Sequence, residues 1–178
     1  ARAIEIAERT LGENHPDVTT SLNNLALLYK TQCRFREAEP LYVKSLKILQ
    51  RSFNTHPAVL TANLNNLASV YANQGYYKEA EPLYKQALAI TERSKDKSSL
   101  DVANSLNNLG ELYKAQGRLS EAESLCLQAL AMNKHSYGDH HPAVSKNLNT
   151  LAFLYKEQGR LNEAEDMFAK ALEATKQN

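Results

Sequence analysis

The stretch SLNNLALLYKTQCRFREAEPLY at residues 21–42 decides the fold, because the chain repeats it three more times. The copies are NLNNLASVYANQGYYKEAEPLY at 63–84, SLNNLGELYKAQGRLSEAESLC at 105–126 and NLNTLAFLYKEQGRLNEAEDMF at 147–168. The quartet LNNL or LNTL begins at residues 22, 64, 106 and 148, so the period is 42 residues each time. This regularity indicates a tandem array, in which each unit covers an apolar face that its neighbour cannot bury alone.

The apolar spacing within each copy is helical. Leu22, Leu25, Ala26 and Tyr29 follow the i, i+3, i+4, i+7 pattern of one helix face, and a second stripe of this kind begins at Ala38. The break between the stripes contains glycine in the last three copies, a residue that commonly ends a helix. Each unit is therefore predicted to be two antiparallel helices, A and B, joined by a tight turn.

The polar residues near the helix ends predict where each helix begins. LSEAE and LNEAE resemble capping boxes, with Ser120 or Asn162 as the N-cap of helix B and a glutamate three residues later. Pro40 and Pro82 are predicted to lie in the first turn of helix B, where a missing N–H costs least. The proline of each His-Pro pair is predicted to be the first residue of helix A. The third unit has no His-Pro pair, so Ser98 or Ser99 is predicted to cap its helix A.

The opening residues match the end of a later unit. ARAIEIAERTLG aligns with VKSLKILQRSFN at 43–54, one period further on, so residues 1–12 are predicted to be the tail of a truncated repeat. The chain is accordingly expected to be part of a longer protein. It is predicted to be a single array over residues 1–178, with full repeats at 13–54, 55–96, 97–138 and 139–178.

Composition and charge exclude several classes of function. The chain has 178 residues with a 43% hydrophobic content, but no apolar run approaches the roughly 18 residues of a membrane helix. The 21 basic and 20 acidic residues are mixed along the chain, which predicts neither nucleic-acid binding nor a polybasic membrane segment. Cys33 and Cys126 fit no metal or disulfide spacing, and two free thiols favour a reducing, cytoplasmic location.

The repeated positions resemble the tetratricopeptide repeat. Its skeleton is a large apolar residue, then Leu-Gly/Ala, then Tyr, then Ala followed by an aromatic residue. The first unit supplies it as Leu22, Leu25, Ala26, Tyr29, Ala38 and Tyr42, and the others repeat it at the 42-residue period. Two departures concern packing, since Cys33 replaces the turn glycine and Cys126 replaces the second aromatic residue.

The 42-residue period, the long helix B and the HPDV-type linker resemble the kinesin light chain-type branch, and similar arrays occur in nephrocystin-type and bacterial multi-repeat proteins. The resemblance implies an all-α fold. This is a right-handed α-solenoid of antiparallel helix pairs, with four full repeats plus a partial N-terminal helix. It also implies that the A helices line a concave groove for an extended peptide or helix of a partner, and that the protein is a scaffold or adaptor.

Polar side chains remain on each helix A after the apolar stripe is subtracted. A carboxamide both donates to and accepts from a peptide main chain, so a row of them suits an extended ligand. The predicted carboxamide row consists of Asn23, Asn24, Asn65, Asn66, Asn107, Asn108 and Asn149. Neighbours predicted to contact ligand side chains are Lys30, Ser69, Asn73, Asn104, Glu111, Lys114, Lys146, Phe153 and Lys156. Alternatively, one asparagine of each pair is structural and bonds to the backbone of the adjacent repeat.

Chaperone-binding members of the family hold a C-terminal carboxylate with a clamp of lysines, an arginine and asparagines. The basic residues of that clamp would fall at Asn23, Asn104 and Asn108, and its asparagines at Leu27 and Asn66. Only Asn66 matches. Binding of a chaperone terminus by this clamp is therefore not expected.

Catalytic signals are missing from the sequence. It contains no phosphate loop, no nucleophile elbow and no paired Cys and His, so we expect no enzyme activity and no cofactor. His135, Asp139, His140 and His141 could hold an adventitious metal, but they coincide with a linker between repeats and no metal site is predicted. Cys126 occupies a packing position and is predicted to be buried and inert, whereas Cys33 lies in a turn and is predicted to be exposed.

A second hypothesis is structural. The last helix is predicted to expose Met167, Phe168, Ala171 and Leu172 in part, and solenoids that lack a polar capping helix associate end to end. The array would then be a spacer or a self-assembling solenoid.

Overall fold

The computed structural model describes residues 2–13, 15, 17–52, 56–94 and 98–176, and all regular structure in this part of the chain is helical. In chain order, the helices are α1 (Arg2–Leu11), α2 (Val18–Thr31), α3 (Phe35–Arg51), α4 (Pro57–Asn73), α5 (Tyr77–Arg93), α6 (Ser99–Ala115), α7 (Leu119–Tyr137), α8 (Pro142–Glu157) and α9 (Leu161–Lys176). The predicted all-α fold of helix pairs is confirmed.

The chain divides into two compact units, residues 1–91 and 92–178. Unit 1 contains α1 to α4 and most of α5, and unit 2 contains α6 to α9. The pairs α2/α3, α6/α7 and α8/α9 are joined by tight turns, and α1 packs on α2. The predicted repeat boundaries after residues 54 and 96 lie outside the described residues, and the boundary after residue 138 falls between α7 and α8.

Small residues let the helices of unit 1 approach closely. Ala26 and Ala38 are fully buried, and they form one core with Tyr42, Leu64 and Val70. A second, smaller cluster joins Val18, Leu22 and Ile48 to the partly buried Ile4 and Ala7 of α1. In this cluster, α1 packs against α2 as helix B of a preceding repeat would.

Unit 2 uses a different pair of side chains at one packing position. Gly110 stands where the other repeats have alanine, and Cys126 stands where they have tyrosine or phenylalanine. A Cβ at Gly110 would lie 3.3 Å from Cys126 Sγ. The Cys126 sulfur therefore fills the space beside Gly110. The glycine at 110 and the cysteine at 126 thus complement each other in the core.

The turn between helices A and B requires a left-handed residue. Gly75, Gly117 and Gly159 have φ values of 80°, 75° and 77°, as a helix-terminating glycine should. Cys33 takes the same conformation in the first repeat, with φ of 57°. The turn is thus retained there, although a residue with a Cβ tolerates it less well.

An arginine precedes helix B, and the predicted capping box is not its N-cap. The helix starts at Leu119 or Leu161, one residue before the predicted caps, and the N-caps are Arg118 and Arg160. Each arginine holds the glutamate three residues later in a two-nitrogen pair, and its guanidinium covers the tyrosine in the last turn of helix A. The capping-box prediction was therefore wrong. Arg34 makes the same contacts in the first repeat, 4.2 Å from the centre of the Tyr29 ring.

The proline prediction for helix B was also wrong. Pro40 is the sixth residue of α3, which begins at Phe35, and Pro82 is the sixth residue of α5. Each proline removes one N–H that could have bonded to a carbonyl in the preceding turn. Both prolines are exposed.

Most predictions for the start of helix A are confirmed. Pro57 and Pro142 are the first residues of α4 and α8, and the imidazole Nδ1 of the preceding His56 or His141 accepts from the N–H two residues on. Ser98 caps α6 by accepting from the N–H of Asp101. In the first repeat the helix begins at Val18 instead, and Pro16 lies outside the described residues.

Candidate functional site

The predicted ligand-contacting residues all lie on helix A of a repeat, that is on α2, α4, α6 and α8. They differ in exposure. Seven are exposed, namely Asn24, Asn73, Asn104, Glu111, Lys146, Phe153 and Lys156. The other nine are half-buried, namely Asn23, Lys30, Asn65, Asn66, Ser69, Asn107, Asn108, Lys114 and Asn149.

In unit 1, one carboxamide of the predicted row binds the next repeat. Nδ2 of Asn63 on α4 donates to Oδ1 of Asn23 on α2 at 2.7 Å, and it also lies 2.8 Å from Oγ of Ser45 on α3. Asn63 is fully buried, so this hydrogen bond crosses the interface between repeats away from water. The oxygen of Asn23 is therefore part of the packing between helices A.

Unit 2 contains an equivalent bridge with a longer relay. Nδ2 of Asn147 donates to Oδ1 of Asn107 at 2.9 Å, and Oδ1 of Asn147 accepts from Nδ2 of Asn133 at 2.6 Å. Asn133 and Asn147 are each 1% exposed. Asn107 thus has the same structural role as Asn23. Both bond to a side chain of the adjacent repeat, whereas the structural alternative had predicted a bond to its backbone.

Our sequence reasoning did not identify the buried partners. Asn63 and Asn147 precede the LNNL or LNTL quartet, where the first and third repeats have Ser21 and Ser105. Asparagine recurs there in every second repeat. That alternation could have identified Asn63 and Asn147, because a buried polar side chain that bridges two helices is expected at a fixed position of the repeat.

Lys30 contacts the row at a second point. Its Nζ lies 3.1 Å from Oδ1 of Asn66, so the last turn of α2 is connected to the middle of α4. Lys30 is half-buried, and burial lowers the pKa of its ammonium group. No carboxylate within the described residues is paired with it, so a neutral carboxamide is its side-chain partner.

Several other predicted residues interact within their own repeat. Nζ of Lys114 lies 2.6 Å from Oε2 of Glu111 on the same helix. Nδ2 of Asn73 donates to the carbonyl of Ser69 at 2.7 Å. Phe153 is 53% exposed, and its ring meets that of Phe168 edge to face at 5.2 Å.

The side chains of six predicted residues form no hydrogen bond or ion pair with the described part of the chain, and they are Asn24, Asn104, Asn108, Lys146, Asn149 and Lys156. The side-chain oxygen of Asn65 is buried without a partner among the described residues. The structure therefore separates two groups within the predicted row. Asn23 and Asn107 use their oxygens between repeats, whereas Asn24, Asn108 and Asn149 keep both polar atoms available.

The two thiols differ as predicted. Cys126 is buried, and desolvation, followed by the charge of Glu111, raises its pKa to about 11. Cys33 is exposed in its turn. It lines a cavity of about 480 Å³ together with Arg34, Phe35, Arg36, Glu37, Asn73, Gln74 and Tyr76, between the turns of the first two repeats.

The histidine cluster is engaged in other contacts. Asp139 pairs with Lys134 at 2.7 Å, and this hydrogen bond holds the pKa of its carboxyl below the ordinary value of 3.8. His141 caps α8 through Nδ1 and stacks on Tyr137 at 4.5 Å. Within the described ranges, no three His, Cys, Asp or Glu side chains converge as metal ligands would.

Of the residues predicted to be exposed on the last helix, Ala171 is not. It is 2% exposed and packs with Val144 and Leu148, and its carbonyl accepts from Ser145 Oγ at 3.0 Å. That part of the prediction was wrong, since Ala171 faces α8. Leu172 is 58% exposed, and Met167 and Phe168 are half-buried. None of the helices described is long and apolar enough to cross a membrane.

Comparison with known proteins agrees with these features. Residues 1–51, 59–135 and 101–177 match a model of the tetratricopeptide repeat. The structure resembles the crystal structure of BtubC (BKLC) from P. vanneervenii, with 27% identity over 99% of this chain and 71% of that chain, and a TM-score of 0.81. No curated protein matches the sequence.

Two further structures share the fold. A Podosopora anserina kinesin light chain protein with nearly identical TPR-like repeats is 26% identical over 97% of this chain and 82% of that chain, with a TM-score of 0.84. The apo form of RapI is 20% identical over 99% of this chain and 48% of that chain, with a TM-score of 0.81. At that identity the likeness to RapI shows the fold alone.

Proposed function

Because the chain belongs to the tetratricopeptide repeat family, we propose that it is a non-catalytic, cytoplasmic scaffold that binds an extended peptide or a helix of a partner protein along its A helices. Repeats of this family generally mediate protein–protein interactions. The ligand would lie on the surface formed by α2 and α4 in unit 1 and by α6 and α8 in unit 2.

One observation supports this assignment above others. Asn24, Asn108 and Asn149 recur on the A helices with carboxamides that no described residue engages. Asparagine is a mediocre helix former, so its recurrence in the middle of a helix needs a reason. Packing supplies that reason for Asn23 and Asn107, whose repeat position Asn149 shares, but not for the repeat position of Asn24 and Asn108. Main-chain hydrogen bonds to a bound peptide would supply it, because each carboxamide can donate and accept at once.

A peptide-display selection on the purified chain tests the proposal. The variant Asn24→Ala/Asn108→Ala/Asn149→Ala should lose the enriched peptides, since it removes the free carboxamides and leaves both buried bridges intact. The matched control is Gln50→Ala/Gln86→Ala/Gln128→Ala, which removes three exposed carboxamides from the B helices. Enrichment of nothing on the native chain, or equal loss on both variants, would contradict the proposal.

End-to-end self-association, or a role as a spacer, is the second candidate. It is favoured by Leu172, which leaves more than half of its surface exposed on α9, and by the 63% exposure of Leu161 on the same helix. Light scattering over a range of protein concentrations would detect it. Leu172→Glu should then shift the protein to the monomer, while the carboxamide variant should leave its mass unchanged.

A further inference from the structure

We propose that one face of unit 1, between α1 and α2, is a docking surface for an amphipathic partner helix that has the sequence pattern of helix A. The surface consists of Ser21, Leu25 and Leu28 on α2 and Ile6 on α1, and we call it the open face. The inference goes beyond the proposed function, because the open face is not part of the carboxamide row. It arises from a comparison of the same repeat positions in the two units.

On α4, one face packs on the preceding helix A. Asn63, Leu67 and Val70 follow one another at spacings of four and three residues, so their side chains lie along one side of the helix. They are 0%, 3% and 0% exposed. Leu67 and Val70 belong to one core with Ala26 of α2, and Asn63 donates to Asn23 of the same helix. This face of α4 is therefore the interface between two repeats.

Unit 2 contains the same interface. Asn147, Leu151 and Leu154 hold the corresponding positions on α8, and none of them is more than 1% exposed. Asn147 donates to Asn107 of α6, which is the preceding helix A of this unit. Both units therefore bury these three repeat positions against the repeat before.

The corresponding positions of the first helix A are not covered in this way. Leu28 is 51% exposed, and Ser21 and Leu25 are half-buried. With 3.6 residues per turn, they lie on the opposite side of α2 from Asn23 and Lys30, which contact α4. One side of α2 thus packs on the next helix A. Its other side presents to solvent the positions that α4 and α8 bury.

Helix α1 borders the same face with an exposed isoleucine. Ile6 is 55% exposed, whereas Ile48, which lies 42 residues later, is 3% exposed and packs with Val18 and Leu22 of its own helix A. In unit 2, α6 contacts both α7 and α8. A helix docked on the open face would contact α1 and α2 as α6 contacts α7 and α8. It would cover Ile6 and Leu28 together, so the open face continues an interface that the array already uses.

The existing interfaces define the sequence of the docked helix. In α6, Asn107 accepts from the next helix A, and Gly110 lies against α7. In α2, Asn23 and the fully buried Ala26 hold the same two positions. The partner helix should therefore carry Asn-x-x-Ala or Asn-x-x-Gly within a stripe of leucines. A helix with charged residues on that side would not fit, because the open face offers three apolar side chains and one hydroxyl.

The test measures binding of a fluorescent peptide that copies residues 98–115, the sequence of α6 with its serine cap, to the full chain. Fluorescence anisotropy should show saturable binding, and circular dichroism should show that the peptide gains helix when it binds. A scrambled peptide of the same composition should not bind. Ile6→Ser/Leu28→Ser should weaken binding by about tenfold or more, since it removes the most exposed apolar side chains of the open face.

The matched control changes two exposed leucines of unit 2. Leu127→Ser/Leu172→Ser removes a similar amount of exposed apolar surface and should bind the peptide as the native chain does. Circular dichroism would show that both double variants are folded, as expected for substitutions at exposed positions. Equal weakening by the two double variants would contradict the inference, because the peptide would then be binding to apolar surface in general.

A gain of affinity gives a second reading. Ser21→Asn places a carboxamide where Asn63 and Asn147 have theirs, so it should donate to Asn107 of the docked peptide. The affinity should rise about threefold to tenfold, which is typical of one added hydrogen bond. The gain should vanish with a peptide that carries Asn107→Ala. An unchanged affinity, or an equal gain with both peptides, would overturn the assigned geometry.

The outcomes separate this inference from the proposed function. The carboxamide variant Asn24→Ala/Asn108→Ala/Asn149→Ala should bind the helix peptide as the native chain does. No binding of the helix peptide to the native chain would refute the inference and leave the scaffold proposal standing, whereas a failed display selection would refute only the scaffold proposal. If the native chain self-associates and Ile6→Ser/Leu28→Ser abolishes this, a second copy covers the open face, and the inference is refuted as well.

Discussion

At the scale of single residues, the second helix of each repeat has an aromatic position whose environment varies. Tyr42 is fully buried, and its hydroxyl has no hydrogen-bond partner among the described residues. Burial alone raises its pKa to about 12. Tyr84, one period later, bonds to the side chain of Ser69. The tyrosine hydroxyl therefore has a hydrogen-bond partner at Tyr84 and none among the described residues at Tyr42.

Removing the two hydroxyls should have opposite effects. Tyr42→Phe should raise the free energy of unfolding by about 1 kcal/mol, because it removes a buried polar group that has no partner. Tyr84→Phe, the matched control, should lower it by about 0.5–1 kcal/mol through the loss of its hydrogen bond. Urea unfolding followed by circular dichroism measures both. Destabilisation by Tyr42→Phe would show that the hydroxyl has a partner, such as a buried water.

The two cysteines provide a second residue-scale prediction. At pH 8, a thiol reagent should modify Cys33 of the native chain and leave Cys126 unmodified, because only the thiolate reacts and the pKa of Cys126 is about 11. Both should react in denaturant. Mass spectrometry of the labelled protein counts the modified thiols, and Cys33→Ser should abolish native labelling. Rapid labelling of Cys126 in the native chain would instead mean that the core beside Gly110 opens readily.

At the scale of the element, the triplet EAE begins at residues 37, 79, 121 and 163, and its two glutamates make different contacts. The first glutamate binds the arginine of its own turn, and the second accepts from the next repeat. Glu123 illustrates the second contact, since it accepts from Gln158 Nε2 at 3.1 Å and from Arg160 Nη1 at 2.8 Å. In unit 1, Glu39 accepts from Gln74 at 3.3 Å, but Tyr76 stands where the arginine would be.

Restoring that arginine is the next prediction. Tyr76→Arg should pair with Glu79, cover the ring of Tyr71 and reach Glu39, as Arg160 does with the corresponding residues. We expect a gain of about 0.5 kcal/mol, because exposed pairs of this kind contribute little each. Arg118→Tyr should cost a similar amount in unit 2. Thermal unfolding measures both, and a loss of stability in Tyr76→Arg would show that the cavity beside Cys33 cannot take the longer side chain.

The same contacts predict a response to acid. Partial burial raises the pKa of Glu123, but the bonds from Arg160 and Gln158 outweigh it and hold the pKa below 4.5. The folded carboxyl therefore has the lower pKa, so its contribution to stability is present above about pH 4.5 and is lost as the pH falls through the folded value. Arg160→Gln should be less stable than the native chain at pH 7, and the difference should shrink as the pH falls below 4.5. A constant difference in melting temperature would contradict this assignment.

Element boundaries show where sequence reasoning worked and where it failed. Pro57, Pro142 and Ser98 were identified as helix starts because proline and serine act through their own backbone or hydroxyl. The capping boxes at Ser120 and Asn162 were wrong because Arg118 and Arg160, each two residues earlier, bind the following glutamate and the preceding tyrosine at once. The arginine, its glutamate and its tyrosine come together only when the turn between the two helices has folded. A motif within one helix therefore could not predict these contacts.

At the scale of the whole molecule, the period of 42 residues was enough to predict helix pairs stacked in an array. It was not enough to divide the asparagines into structural and available ones. Asn23 and Asn24 are adjacent residues of the same type. Only the position of Asn63 on the next helix A decides which of them is used in packing. The candidate site was therefore predicted as a surface, while the role of each residue in it depended on contacts 40 residues away.

Both buried bridges stay within their own unit, and this gives the last prediction. Asn147 uses both polar atoms, toward Asn107 and Asn133, whereas the oxygen of Asn63 has no partner among the described residues. Asn147→Ala should therefore cost about 2–3 kcal/mol and Asn63→Ala about 1–2 kcal/mol, since the second also relieves an unsatisfied oxygen. Hydrogen exchange should show lower protection in α6 to α9 for Asn147→Ala and in α2 to α4 for Asn63→Ala. If either substitution lowered protection equally along the whole chain, the bridges would be stabilising a single cooperative unit and not two compact ones.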